Sequence, residues 1–249
     1  MVDRHYPRAP ISEAIIDLQV EFTSPPPQSA FVDAAQKIRD RFPVSQPIQM
    51  FEMNFGGATE EAQPTVKSER TETGMRLTNN PPTRVLQLQR RGFTFSHLPP
   101  YSDWGTFSDE AKELWNQFVP EFGPTRVVRA ATRYINRIVV PADKADFREY
   151  FTLYPNVPAA MPQTVTGCFM QLVIPQPNGP KDTSAVINFA LEPSANSGGL
   201  SFLLDFDVFS PCHFDPTADE VWNVLAQLRT VKNELFEASI TDATRELFK

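Results

Sequence analysis

The chain has 249 residues, 41% hydrophobic and 21% charged, with a formal net charge of −7 at pH 7. These are globular proportions with enough length for a substantial core, and the acidic balance argues against a duplex-DNA surface unless the basic residues are strongly segregated. No run approaches the roughly 18 apolar residues of a membrane span, and the start MVDRHYPRAPISEA has no apolar signal stretch.

Cys168 and Cys212 show neither metal-ligand nor redox spacing, so a soluble intracellular protein with reduced thiols is expected. The 20 phenylalanines far outnumber the 3 tryptophans and 5 tyrosines, so most aromatic mass is core filler without a polar handle.

In SEAIIDLQVEF, Ala14, Ile16, Leu18, Val20 and Phe22 alternate with Glu13, Ile15, Asp17, Gln19 and Glu21, which predicts a strand with one buried and one acidic side. Pro25-Pro26-Pro27 stops it. Phe31, Ala34, Ala35, Ile38 and Phe42 recur at helical spacing, and Pro43 closes that helix. IQMFEMNF predicts a strand, the polar stretch from Gly56 to Thr73 a loop, and GMRLTNN a short strand. RVLQLQRRGFTFSHL predicts a hairpin turning near Arg90-Arg91-Gly92. Trp104, Phe107, Ala111, Leu114, Trp115 and Phe118 then mark an amphipathic helix closed by Pro120 and Gly123-Pro124.

The order recurs. TRVVRAATRYINRIVVP predicts a long strand, DFREYFTLY a short helix, and GCFMQLVIP, SAVINFALEP and LSFLLDFDVFS three strands split by the turns PQPNGPKD and PSANSGG. A last long helix opens at Thr217 with Glu220 as a capping box, and Val221, Val224, Leu225, Leu228, Val231 and Leu235 form its stripe. The expectation is a single α+β unit, 1–249, of two topologically similar strand-helix-strands-helix halves, 1–123 and 124–249. They form a mostly antiparallel curved sheet with the long helices packed on one face.

The most informative segment is RAATRYINRIVVP. Arg129, Arg133 and Arg137 share one strand face, about 13 Å between neighbours at ~3.3 Å per residue, which is poor spacing for clamping one small phosphate. Glu13, Asp17 and Glu21 repeat the same spacing. Antiparallel pairing of the two first strands would set Glu13 against Arg137, Asp17 against Arg133 and Glu21 against Arg129, with Asp205 and Asp207 as further partners. The competing reading is an exposed anion-binding face.

No nucleophile elbow, P-loop, dinucleotide fingerprint or HExxH helix appears, so no catalytic, cofactor-binding or metal residues are assigned. His5, His97 and His213 stand apart. Cys212, His213 and Asp215 in PCHFDP read as lining a turn rather than as a metal corner. Asp205 and Asp207 have the spacing of a loose acid/base pair, but nearby arginines predict ordinary ionised carboxylates. Arg91, Arg129, Arg133 and Arg137 beside Phe93 and Tyr134 could meet a nucleic-acid single strand, against the acidic balance.

APISEAIIDLQV, LQLQRRGFTFSHLPPYSDW, RAATRYINRI, LLDFDVF and FEASITDATRELF together resemble a sporadically distributed family of bacterial and archaeal proteins of uncharacterised function. The resemblance implies an accessory role, of the kind found in defence or conflict systems, and carries over no functional residues. The element order is also similar to duplicated saddle-shaped sheets of the TATA-binding type, a likeness of fold that transfers no DNA binding.

The leading expectation is a non-enzymatic interaction module for a protein partner or a second copy of the chain, with no membrane contact. The alternative is a sensor or enzyme for an anionic small molecule held by the arginine row; single-stranded nucleic-acid binding comes third. A paired arginine row with an exposed apolar patch elsewhere, for instance near Pro99-Pro100 or Phe214, favours the first. Arginines converging on a pocket without carboxylates favour the second.

Overall fold

The computed structural model describes residue 4 and residues 6–55, 66–141, 146–192 and 199–249. His5, the first part of the expected loop (56–65) and most of the turn PSANSGG (193–198) lie outside the described residues. The strands are β1 (Ile11–Glu21), β2 (Val44–Phe55), β3 (Val66–Thr78), β4 (Arg84–Gln89), β5 (Gly92–His97), β6 (Arg126–Val140), β7 (Cys168–Pro175), β8 (Ser184–Glu192) and β9 (Leu200–Phe214). The helices are α1 (Gln28–Lys37), α2 (Trp104–Phe122), α3 (Phe147–Tyr150), α4 (Glu220–Ser239) and α5 (Asp242–Glu246). Among the described residues no helix is long and apolar enough to cross a membrane.

The nine strands form one curved, open, antiparallel sheet in the order β2-β3-β4-β5-β1-β6-β9-β8-β7. β1 and β6 lie side by side at its middle, and alternation decides which side of each is buried. Ala14, Ile16, Leu18 and Val20 point into the core, as do Ala130, Tyr134 and Ile138 of β6 and Phe202, Leu204, Phe206 and Val208 of β9. Strand register aligns these rows, with Leu18 opposite Ala130 and Tyr134 opposite Phe206.

Helix α2 fits its stripe to β5: Phe93 meets Trp115 and Phe118 edge-on at ring distances of 5.6 and 5.8 Å, and Phe95 stacks on Phe107 at 5.6 Å. Asp103 caps α2 by accepting from the Thr106 amide at 2.9 Å, and Gly123 ends it in the left-handed region at φ +61°. Helix α4 covers β6 and β9, with Phe236 against Phe206 at 6.2 Å. Gly92, at φ +146°, admits β5 to β1, because a Cβ there would meet the Leu18 carbonyl oxygen at 2.0 Å.

Several local expectations are corrected. Residues 66–73, expected in the loop, extend β3 and pair with β2 back to Phe55 opposite Val66, since ladder hydrogen bonds offset the polar composition. Helix α1 spans Gln28–Lys37, with turns carrying the chain on to Phe42. The short helix is only Phe147–Tyr150, and Phe151 bridges to Ile240 instead. Pro120 lies inside the last turn of α2 and does not end it.

The capping box at Thr217 does not form. Thr217 donates from its amide and hydroxyl to Asp215 at 2.8 and 2.6 Å, and α4 starts at Glu220. The chain end is a separate short helix, α5, whose N-cap Thr241 accepts from the Thr244 amide. Residues 211–214, expected in a turn, continue β9, so neighbours Cys212 and His213 face opposite sides, the first buried and the second exposed.

Candidate functional site

On the face of the sheet opposite the buried row of Leu18, Tyr134 and Phe206, the arginine row lies within a mesh of carboxylates. Arg129 donates to Asp17 at 2.8 Å and to Asp207 at 3.1 Å, and its guanidinium stacks over Phe209 at 4.5 Å. Thr94 of β5 donates to the second Asp17 oxygen at 2.8 Å. Arg133 grips Asp205 with two parallel bonds of 2.9 and 2.7 Å, the geometry that planar guanidinium and carboxylate share. Arg137, at the more exposed end, meets Glu192 at 3.0 Å, and Ser201 donates to the same carboxylate at 3.0 Å.

The pairing differs from the expected one in register. The expected pairs needed Asp17 opposite Arg133, whereas β1 and β6 align Ile15 with Arg133 and Gln19 with Arg129. Arg129 therefore reaches Asp17 along a diagonal, and a bulge beyond Gln19 leaves Glu21 near Arg126, 3.8 Å away, with both about half exposed. Glu13 acts on Arg133 only as one of several nearby charges, while Asp205, two strands from Glu13, supplies the strong pair. Arg91 sits exposed at the β4–β5 turn, and its carbonyl accepts from the Val20 amide at 2.9 Å. It does not join the row.

A polar row extends this network to the edge. Gln171 of β7 donates to Asn188 of β8 at 2.8 Å, and Asn188 donates to Asp205 at 2.9 Å. Asp205, its side chain only 2% exposed, thus accepts three N–H bonds. The hydrogen bond with Asp205 holds the Arg133 pKa above its usual range, and Arg137 holds Glu192 below its own. Asp207 departs from the expectation of an ordinary carboxylate. Burial raises its pKa, Arg129 and Arg133 restrain the rise, and neighbouring Asp17 and Asp205 add to it.

Flanking the polar row, Phe169 and Val173 of β7 are 69% and 64% exposed on this same face. They continue into Ala190 and Val186, their cross-strand partners on β8. Among the described residues β7 is an edge of the sheet, and its sequence CFMQLVIP carries no charge. Edge strands normally carry charges, bulges or prolines within them that discourage pairing. Phe169 and Val173 thus form an exposed apolar patch on β7, away from Pro99-Pro100 and Phe214.

The opposite face holds a cavity of about 680 Å³ bounded by the segment before β1, the β5–α2 loop, β6 and α4. Lys232 of α4 is 7% exposed, and its ammonium lies 3.7 Å from the centre of the Tyr134 ring. Such a contact contributes about 0.5–2 kcal/mol, the larger value when desolvated. Tyr101 meets Tyr134 hydroxyl to hydroxyl at 3.1 Å, and Asn136 donates to the Leu204 carbonyl at 2.9 Å.

His97 lies behind Tyr101, edge-on at 5.2 Å. Burial lowers its pKa despite the bond to the Leu98 carbonyl, which keeps it neutral near pH 7. Burial likewise pushes the Cys212 thiol up to about 11, which makes it unreactive.

Sequence reasoning passed over Lys232. The one available signal was a lysine beside Val231 on the inner stripe of an amphipathic helix. No family model, characterised protein or solved structure matches the chain.

Proposed function

We propose that this chain is a non-enzymatic interaction module whose partner is a second copy of itself, joined through β7. The uncharged edge strand with Phe169 and Val173 exposed carries the reading. The arginine row supports it from the other side, because Arg129, Arg133 and Arg137 each already hold a carboxylate and offer little to a phosphate. One unit built from two halves of like connectivity, each with its long helix on the shared core face, belongs to the same proposal.

The backbone suggests the register. The Gln176 amide donates to the Thr183 carbonyl, and ladder alternation then directs the polar groups of Phe169, Gln171 and Val173 outward from β8. Antiparallel pairing of two β7 strands about a twofold axis at Gln171 sets Gln171 opposite its own copy and Phe169 opposite Val173 of the other chain. Such an interface is isologous and closes on itself.

Gln171→Lys and Gln171→Glu test it, since each alone places like charges across the axis. Light scattering after size exclusion is expected to find the parent chain dimeric, each variant monomeric, and their mixture a heterodimer. A parent chain that stays monomeric at high concentration, or variants that dimerise like the parent, overturn the proposal.

A further inference from the structure

Asp205, Asn188 and Gln171 stand opposite one another on β9, β8 and β7, and their side chains form one directed row. The Asp205 carboxylate, gripped by Arg133 through two bonds, only accepts hydrogen bonds. Asn188 therefore offers it the amide nitrogen, at 2.9 Å. The Asn188 carbonyl oxygen is thereby turned toward β7, where it accepts from the Gln171 amide nitrogen at 2.8 Å.

Gln171 ends the row, exposed on β7. One of its N–H groups is committed to Asn188, and its carbonyl oxygen has no partner among the described residues. A second N–H remains beside that oxygen, and a donor and an acceptor on one planar group complement another group of the same kind. We propose that Asp205 and Asn188 are positioning residues. They orient the Gln171 amide for a reciprocal pair of hydrogen bonds with Gln171 of a second copy, and this pair makes the β7 edge select its own kind. The selection rests on the β7 pairing proposed above and sets its partner and register.

Choice follows from what a mismatched partner leaves behind. Phe169 and Val173, which share a face with Gln171, have no hydrogen-bonding side chains. A slip of two residues sets one of them against Gln171 of the other copy and covers an amide whose bonds are unmade. An apolar strand of another protein does the same. A covered, unbonded polar group costs more than a made bond contributes, so the central amide acts by excluding wrong pairings, as one polar residue does in a coiled-coil seam. The backbone ladder and the Phe169–Val173 contacts then supply affinity, and the amide row supplies specificity.

Sedimentation equilibrium on the full chain measures the dimer Kd in a double-mutant cycle of Asn188→Ala and Gln171→Ala. Asn188→Ala is expected to weaken the parent dimer about tenfold, and to change Kd by less than about twofold once Gln171 is already replaced. Nitrogen-15 spectra of the parent chain give a readout that needs no variant: the Gln171 side-chain amide protons should exchange with water more slowly in the dimer than after dilution. An equal loss in both backgrounds would make Asn188 a support of the fold alone and overturn the proposal, as would equal exchange in dimer and monomer. A parent dimer untouched by Asn188→Ala overturns it while β7 pairing stands, and a parent chain that stays monomeric overturns both.

Discussion

The two faces of the sheet place positive charge in different surroundings. On one, Arg129 and Arg133 are neutralised by carboxylates on the adjoining strands. On the other, Lys232 rests on an aromatic ring at the wall of an open cavity bounded by α4, β6 and two connecting segments. The first arrangement fixes strand register, because slipping one residue would carry the whole charged row into the core. The second leaves room for a molecule. A cationic row is therefore weak evidence for an anion site until its neighbours on the adjoining strands are known.

The sharpest way to break this contrast is Asp205→Ala. It strands Arg133 and Asn188 facing an almost fully buried position, and urea denaturation is expected to give a loss of about 2–4 kcal/mol, moderated by the partial exposure of Arg133. Arg129→Met comes next. It leaves Asp17 and Asp207 without their shared cation but keeps apolar contact with Phe209, for a loss of roughly 1–3 kcal/mol in the same measurement. An unchanged midpoint in either variant would mean the network contributes nothing to stability.

Acid titration sharpens the comparison through sign. Burial pushes the Glu110 carboxyl up, but hydrogen bonds from Arg84 and Arg41 outweigh it, and its folded pKa lies below the ordinary 4.5. Its stabilisation is present above that value and is lost as pH falls through the folded pKa. Asp207 runs the other way. Its folded pKa is raised above 3.8, so its contribution weakens as pH rises from 3.8 through the folded value. Thermal melts from pH 3 to 6 should show a flatter acid limb in Glu110→Gln and a steeper one in Asp207→Asn; identical slopes would contradict both signs.

The smallest expected effect is Thr94→Val. It removes one hydrogen bond to Asp17 and should cost about 1 kcal/mol in urea denaturation. A larger cost would mean that Asp17 depends on Thr94 more than on Arg129.

Much of the fold was legible in the sequence because it rests on short-range periodicity. The two-residue alternation of β1 sorted Ile16 and Leu18 from Asp17 correctly, and the stripe from Phe107 to Phe118 located the core face of α2. Boundaries were less legible. Thr217 has the residue type of an N-cap, but its bonds to Asp215 end a turn before α4 begins. In the same way, the polar composition of residues 66–73 concealed their pairing with β2.

The sequence by itself determined that three arginines share a strand face and that acidic residues of matching spacing exist to meet them, since side-chain direction along a strand follows from parity alone. Only the tertiary structure decided which acid meets which arginine, because register depends on bulges and on neighbours such as β9 that arrive from far along the chain. Tertiary structure also decided that Lys232 stands at a cavity wall. Its surroundings come from residues 6–11, 99–104, 134 and 136, and no local pattern in the chain records such a meeting.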